Sequence, residues 1–154
     1  MRALALLPWL LAAALAQVQV AATTPILADL VRQVGGNRVA AVAVLPPGAD
    51  PHTFEPTPSV AQALSQTRLL FANGLGLEPY LPKLQALLPK NAQVVLLGEG
   101  QPGLICGEDH AEEDHGHGPC DPHLWLDPAY AVRYAERILE ALAALDPGGR
   151  DLYR

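Results

Sequence analysis

Short apolar runs alternate with helical patterns along almost the whole chain, and this alternation limits the possible folds more than any other feature. Runs typical of strands cover residues 17–22, 39–45, 68–72 and 92–97. Helical patterns cover residues 25–34, 58–66, 78–88 and 129–145. A strand–helix alternation favours a parallel sheet, because the helices serve as crossovers between parallel strands. We therefore expect an α/β fold with a parallel sheet of about four strands and helices on both faces.

The residue patterns also predict which side of each element is buried. The runs at 39–45 and 92–97 are almost entirely apolar, which is typical of strands covered on both faces. In the helix at 129–145, polar residues fall on one side and apolar residues on another. The predicted exposed side has Arg133, Glu136, Arg137 and Glu140, and the predicted inner side has Val132, Ala135, Leu139 and Leu142. In the first helix, the predicted inner residues are Ile26, Leu27, Leu30, Val31 and Val34.

Charge excludes two classes of partner. The 154 residues include 10 Lys and Arg against 16 Asp and Glu, for a formal net charge of −6. A nucleic-acid binder needs a basic face to displace counterions, and a protein held on anionic lipid needs one too. We therefore expect no nucleic acid as a partner, and an acidic chain with histidines suits a cation better.

The first residues are typical of an export signal. Arg2 precedes an apolar run that ends in the small-x-small sequence Ala14-Leu15-Ala16. The run is shorter than the about 20 residues that span a bilayer, so residues 1–16 are predicted to be a secretory signal peptide. A buried N-terminal strand or helix is the alternative. We expect a periplasmic protein, and because no Cys directly follows the run, no lipid anchor.

Export affects the interpretation of the two cysteines, Cys106 and Cys120. Paired thiols in an oxidising compartment usually form a disulfide. Such a bridge would close a loop of about 15 residues, contributing about 3 kcal/mol in the chain-entropy description. The alternative is metal ligation, since Cys120 lies three residues before His123.

Two Asp-Pro-His triplets are the strongest chemical signal in the chain. Asp50-Pro51-His52 lies in the loop at 46–57, and Asp121-Pro122-His123 lies in the loop at 98–127. Both loops follow predicted parallel strands, as does the loop at 73–77, so all three belong at the carboxyl edge of the sheet. A single histidine is more often a surface or core residue. Two histidines, each in an Asp-Pro-His triplet and both at one edge of the sheet, favour metal ligation, since imidazole binds Zn, Cu, Fe and Ni.

The residues at 48–59, 73–80, 121–128 and 144–147 resemble the solute-binding proteins of ABC importers for zinc and manganese. The resemblance implies a two-lobed periplasmic receptor that delivers its cation to a membrane permease. It implies that His52 and His123 are the two ligands from the N-terminal lobe, at residues 17–145, and that the turn at 73–76 is structural. Residues 146–154 would begin the linking helix, so we expect a truncated form without the second lobe.

The acidic part of the loop at 98–123 affects the choice of metal. Three further histidines, His110, His115 and His117, lie there among acidic residues. The loop resembles the charged, histidine-containing loop of zinc-directed receptors, and this resemblance favours Zn²⁺ over Mn²⁺. The three histidines are therefore auxiliary candidates for metal ligands. The alternative is a solvated acidic loop.

Three other functions remain open. The chain could be a fragment that transports nothing, or a free-standing half-lobe that buffers metal. A zinc hydrolase would need a base such as Glu55, but the sequence has no His-Glu-x-x-His helix. A Ser/His/Asp enzyme would need a nucleophile elbow, but the sequence has no Gly-x-Ser-x-Gly turn. We therefore expect a binding protein rather than an enzyme.

Overall fold

The computed structural model describes residues 17–107 and 120–153, and four strands alternate there with four α-helices. The strands are β1 (Val18–Ala22), β2 (Val39–Ala43), β3 (Leu69–Ala72) and β4 (Gln93–Leu96). The helices are α1 (Pro25–Gly35), α2 (Pro58–Leu64), α3 (Leu81–Leu87) and α4 (Pro128–Leu145). Short 3₁₀ segments span Gly36–Arg38, Leu124–Leu126 and Pro147–Leu152.

The strands form one sheet in the order β2-β1-β3-β4, and every neighbouring pair is parallel. The predicted α/β class is confirmed. Because all four strands run the same way, the loops that follow β2, β3 and β4 emerge at the same edge.

Helices cover both faces of the sheet, as predicted. Val20 and Phe71, on the first face, pack in one core with residues of α1 and α4. Ala21 and Leu70, on the opposite face, pack in a second core with Leu64 of α2 and Leu84 of α3. Successive strand residues point to opposite faces, so two short central strands supply both cores.

Proline and threonine determine where two of the helices begin. Thr24 caps α1 by accepting the backbone N–H of Leu27 at 3.3 Å. The helix predicted at 78–88 instead begins at Leu81, which puts Pro82 in its first turn. Proline fits there because the first-turn N–H groups have no partner within the helix. Residues 78–80 precede the helix, and Glu78 turns its side chain back toward the end of β3.

Several burial predictions are wrong, and each has a physical reason. β2 is an edge strand, so Val42 is 44% exposed, and β4, at the other edge, is only partly buried. Leu142 lies on the inner side of α4 as predicted, but Tyr134 and Ile138 are the other buried residues of that side, and Val132 is 59% exposed. Ile26 on α1 is likewise exposed. Which side of a helix is buried depends on the elements that pack against it, and helical periodicity alone does not specify them.

Residues 146–153 fold back onto the lobe instead of extending away from it. Asp146 accepts hydrogen bonds from the Arg38 guanidinium and from the Tyr153 hydroxyl. The segment Pro147–Leu152 forms a 3₁₀ helix, where the sequence predicted the start of a linking helix. The predicted domain boundaries stay a prediction. Across 17–107 and 120–153, we find no helix with the length and apolar character needed to span a membrane.

Candidate metal site

The candidate site lies at the carboxyl edge, above the centre of the sheet. From β1 the chain crosses to β2 on one side and later to β3 on the other. Such a reversal of direction leaves a crevice at the carboxyl ends of the two central strands. The loop after β2 brings His52 to this crevice, and the long connection after β4 brings His123.

The two Asp-Pro-His triplets fold in the same way. Asp50 Oδ1 accepts the His52 backbone N–H at 2.8 Å, and Asp121 Oδ1 accepts the His123 backbone N–H at 2.9 Å. An aspartate that bonds the backbone two residues later makes an Asx turn. The bond from the His52 backbone, with a further bond from the Thr53 hydroxyl, lowers the pKa of Asp50. That carboxylate therefore stays ionised and keeps its role as acceptor at neutral pH.

The two predicted ligands come together in space. The ring centres of His52 and His123 are 6.3 Å apart, with 72° between the ring planes. Two imidazoles on one tetrahedral zinc, with Zn–N bonds of about 2.1 Å, have ring centres about 5 Å apart. The observed separation is longer than this value, and both side chains are partly exposed.

A carboxylate orients the second imidazole. Asp121 Oδ1 lies 2.8 Å from His123 Nδ1 as well as accepting the backbone N–H of that residue. With the proton on Nδ1, the ring lone pair is on Nε2, which is the nitrogen that would bind a cation. The Trp125 ring also packs edge to face against the His123 ring, with 5.5 Å between the ring centres.

Cys106 and Cys120 are joined in a disulfide, the first of the two alternatives that the sequence left open. The backbone N–H of Asp121 donates to the Ile105 carbonyl at 2.9 Å beside this bridge. The covalent link thus holds the chain directly before the second triplet.

Sequence reasoning missed the buried polar groups beneath the site. Asn73, at the end of β3, bonds Tyr134 of α4 and the Pro122 carbonyl. Glu78 bonds Thr23 and the backbone of 73 and 74. The signal in the sequence is the Asn73-Gly74 pair directly after an apolar strand, a pattern that by itself predicts only a turn.

Other predicted site residues do not join the pair. His110, His115 and His117 lie outside the described residues. Within residues 17–107 and 120–153, no third His, Cys, Asp or Glu completes a metal-binding group with the two imidazoles. Glu55, the base that a hydrolase would need, forms an exposed ion pair with Lys83 at 2.5 Å.

Solved structures of metal-binding periplasmic proteins share this fold. The chain resembles a crystal structure of ZnuA with a TM-score of 0.76 and 32% identity, over 88% of this chain and 49% of that one. It also resembles a Mn-bound periplasmic metal-binding protein from Candidatus Liberibacter asiaticus, with a TM-score of 0.74 and 26% identity, over 86% and 47%. Residues 20–154 match the family described as zinc-uptake complex component A, periplasmic. The chain therefore belongs to the ZnuA family.

Curated relatives carry both metal and lipid terms in their names. The metal ABC transporter substrate-binding lipoprotein FimA of Streptococcus parasanguinis is 33% identical over 89% of this chain and 45% of its own length. The manganese-binding lipoprotein MntA of Halalkalibacterium halodurans is 35% identical over 83% and 40%. The chain thus spans less than half the length of these relatives. These lipoprotein names contradict the expectation that the chain has no lipid anchor.

Proposed function

We propose that this chain is the metal-binding lobe of an extracytoplasmic receptor, and that His52 and His123 bind a divalent cation for delivery to an ABC importer. The observation that carries the proposal is the 6.3 Å separation of two imidazoles from distant loops with the same local fold. Family membership supports the receptor role, and the apolar run at 1–16 supports export to the periplasm.

The two imidazoles are half of a zinc coordination shell. A tetrahedral zinc site takes four ligands. Because the described residues supply two, the remaining ligands must be water or groups outside those residues. We infer that the full affinity of the receptor depends on ligands from a second lobe, whereas the lobe alone binds a cation through its two histidines.

Zinc is the proposed cargo, with manganese as the competing choice. Nitrogen ligands favour zinc, while carboxylate and carbonyl oxygens favour manganese. The described part of the site offers two ring nitrogens, and the segment 108–119 adds three histidines in sequence. Relatives named for manganese and for zinc uptake both occur, so the two metals must be compared directly.

The histidine- and acid-rich segment is proposed to gather metal near the site. The disulfide at Cys106 and Cys120 closes this segment into a loop that ends one residue before the second triplet. Six carboxylates between Glu108 and Asp121 would concentrate cations there.

The test is zinc and manganese binding by the purified chain, measured by competition with a chromogenic chelator. We expect zinc to bind more tightly than manganese and to raise the melting temperature, because a ligand of the native state stabilises it. Replacing both ligands, H52A/H123A, should weaken zinc binding by more than about 100-fold, since losing a ligand exceeds the effect of losing its hydrogen-bond partner.

The matched control replaces the other three histidines, H110A/H115A/H117A. This variant should keep one zinc bound with nearly the original affinity. If H52A/H123A still binds zinc as the unsubstituted chain does, and the triple variant does not, the acidic loop is the site. The chain would then be a metal buffer, and the receptor proposal would be wrong. Tighter manganese than zinc binding would contradict the choice of cargo alone.

A further inference from the structure

We propose that Asn73, which is not a candidate ligand, is a second positioning residue that acts with Asp121 to orient His123 for cation binding. The inference rests on the proposed function and adds a residue that acts through the backbone of the second triplet. It follows from how one peptide group is held between a buried amide and a carboxylate.

The peptide between Pro122 and His123 is held at both ends. Its carbonyl oxygen accepts a hydrogen bond from Asn73 Nδ2 at 2.8 Å, and its N–H donates to Asp121 Oδ1 at 2.9 Å. A peptide plane with both polar groups bonded cannot rotate without breaking one of them. The plane sets the direction in which His123 leaves the backbone, so Asn73 helps to fix the imidazole.

Donor and acceptor chemistry fixes the orientation of the Asn73 amide itself. Nδ2 also donates to the Gly74 carbonyl at 3.1 Å, while Oδ1 accepts the Tyr134 hydroxyl at 2.7 Å. A flipped amide would place its oxygen against two carbonyl oxygens, which offer no proton. Burial raises the pKa of Tyr134, so its hydroxyl stays protonated and donates.

The backbone of Asn73 is anchored to the sheet. Its N–H donates to Glu78 Oε1 at 2.8 Å, and the same oxygen accepts the Thr23 hydroxyl at the end of β1. Its carbonyl accepts the Gly98 N–H at 2.8 Å. Asn73 is fully buried, so water cannot replace these bonds. The position of His123 is thereby tied to the two central strands, and this link holds the imidazole within reach of His52.

Asn73→Ala tests the inference on the full chain, with Asn91→Ala as the matched control. Asn91 lies exposed in the turn before β4, so its side chain can be removed without touching the site. The probes are zinc affinity, the visible absorption spectrum of the Co²⁺-loaded chain, and the melting temperature without metal. All affinities are measured well below the melting temperature of the least stable variant.

We expect Asn73→Ala to weaken zinc binding about 10- to 100-fold, the range seen when a metal ligand loses its outer partner. The Co²⁺ spectrum should change in shape as well as in occupancy, because the ligand geometry has changed. Asn91→Ala should leave both unchanged. A lower melting temperature with unchanged zinc affinity and Co²⁺ spectrum would show that Asn73 only stabilises the fold, and the inference would be wrong.

A second variant applies if Asn73→Ala does not fold. Tyr134→Phe keeps the buried ring and removes only the hydroxyl that orients the amide, so a folded Y134F chain with unchanged affinity would also overturn the inference. A weaker affinity with an altered Co²⁺ spectrum would support it. If H52A/H123A abolishes zinc binding while Asn73→Ala retains it, the positioning role alone fails. If H52A/H123A has no effect, the proposed function fails instead.

Discussion

At the scale of single residues, each triplet combines stiffness with a hydrogen-bonded turn. Proline fixes the backbone φ angle directly before the histidine, and the aspartate carboxylate bonds the histidine N–H. In the second triplet the same carboxylate also reaches His123 Nδ1. Asp121 therefore sets the backbone turn and the ring orientation together, although it need not touch the metal.

Asp121→Asn should weaken zinc binding about tenfold, because a neutral amide holds the Nδ1 proton less strongly than a carboxylate. Asp29→Asn is a charge-matched control, since Asp29 is exposed on α1 and bonds only Gln33 among the contacts described. Chelator competition on both variants measures the difference. If zinc affinity falls equally in the two variants, the change in net charge, and not the orientation of the His123 ring, causes the weaker binding.

At the scale of elements, one arginine joins α4 to the end of β4. Arg137 Nη1 donates to the carbonyls of Leu96, Leu97 and Glu99 at 3.1, 3.0 and 2.5 Å. The sequence pattern had placed Arg137 on the exposed side of α4 with Arg133. In the fold, Arg137 instead binds the backbone where β4 ends, and so orients the long connection that leads to His123.

Arg137→Met should lower the free energy of unfolding by about 1 to 3 kcal/mol, since it leaves backbone carbonyls without their charged donor. Arg133→Met, on the exposed side of the same helix, should change it by less than about 0.5 kcal/mol. Urea denaturation of both variants is the measurement. A loss of the same size at both positions would contradict the assigned role of Arg137.

At the scale of the whole molecule, a charged cluster joins the last described segment to the 3₁₀ turn Gly36–Arg38 before β2. Asp146 accepts Arg38 Nη2 at 2.6 Å and the Tyr153 hydroxyl at 2.6 Å. The Tyr153 hydroxyl and Arg38 together lower the pKa of Asp146. Burial and the neighbouring carboxylate raise the pKa of Tyr153 to about 12, so that group stays a donor at neutral pH.

The lowered pKa of Asp146 predicts a contribution to acid sensitivity. An acid whose pKa is lower in the folded state stabilises the fold above its ordinary pKa of 3.8, and the effect is lost as pH falls through the folded value. Asp146→Asn should therefore lose less stability than the unsubstituted chain between pH 6 and about 3. Denaturation midpoints at both pH values test this.

Buried Glu78, whose pKa is raised by desolvation, is common to both chains and does not affect the comparison. If both chains lose the same stability between these pH values, the Asp146 carboxylate makes no contribution to acid sensitivity.

Most of the fold could be predicted because its signals are local. The four strands and four helices follow from apolar runs, caps and prolines that act within a few residues, as at Thr24 and Pro25. Their order in the chain then favours a parallel sheet. Rotation and burial were harder to predict, because exposure of Val42 and Val132 depends on which neighbours cover each element.

The sequence by itself determined the α/β order, the resemblance to metal receptors and the two triplets that hold the candidate ligands. Only the tertiary structure decided that His52 and His123 meet at 6.3 Å, and that Asn73, Tyr134 and Glu78 lie beneath them. The reason is that hydrogen bonds and ring contacts between distant segments depend on the register of the sheet and on the rotation of α4. Short-range patterns specify neither of these.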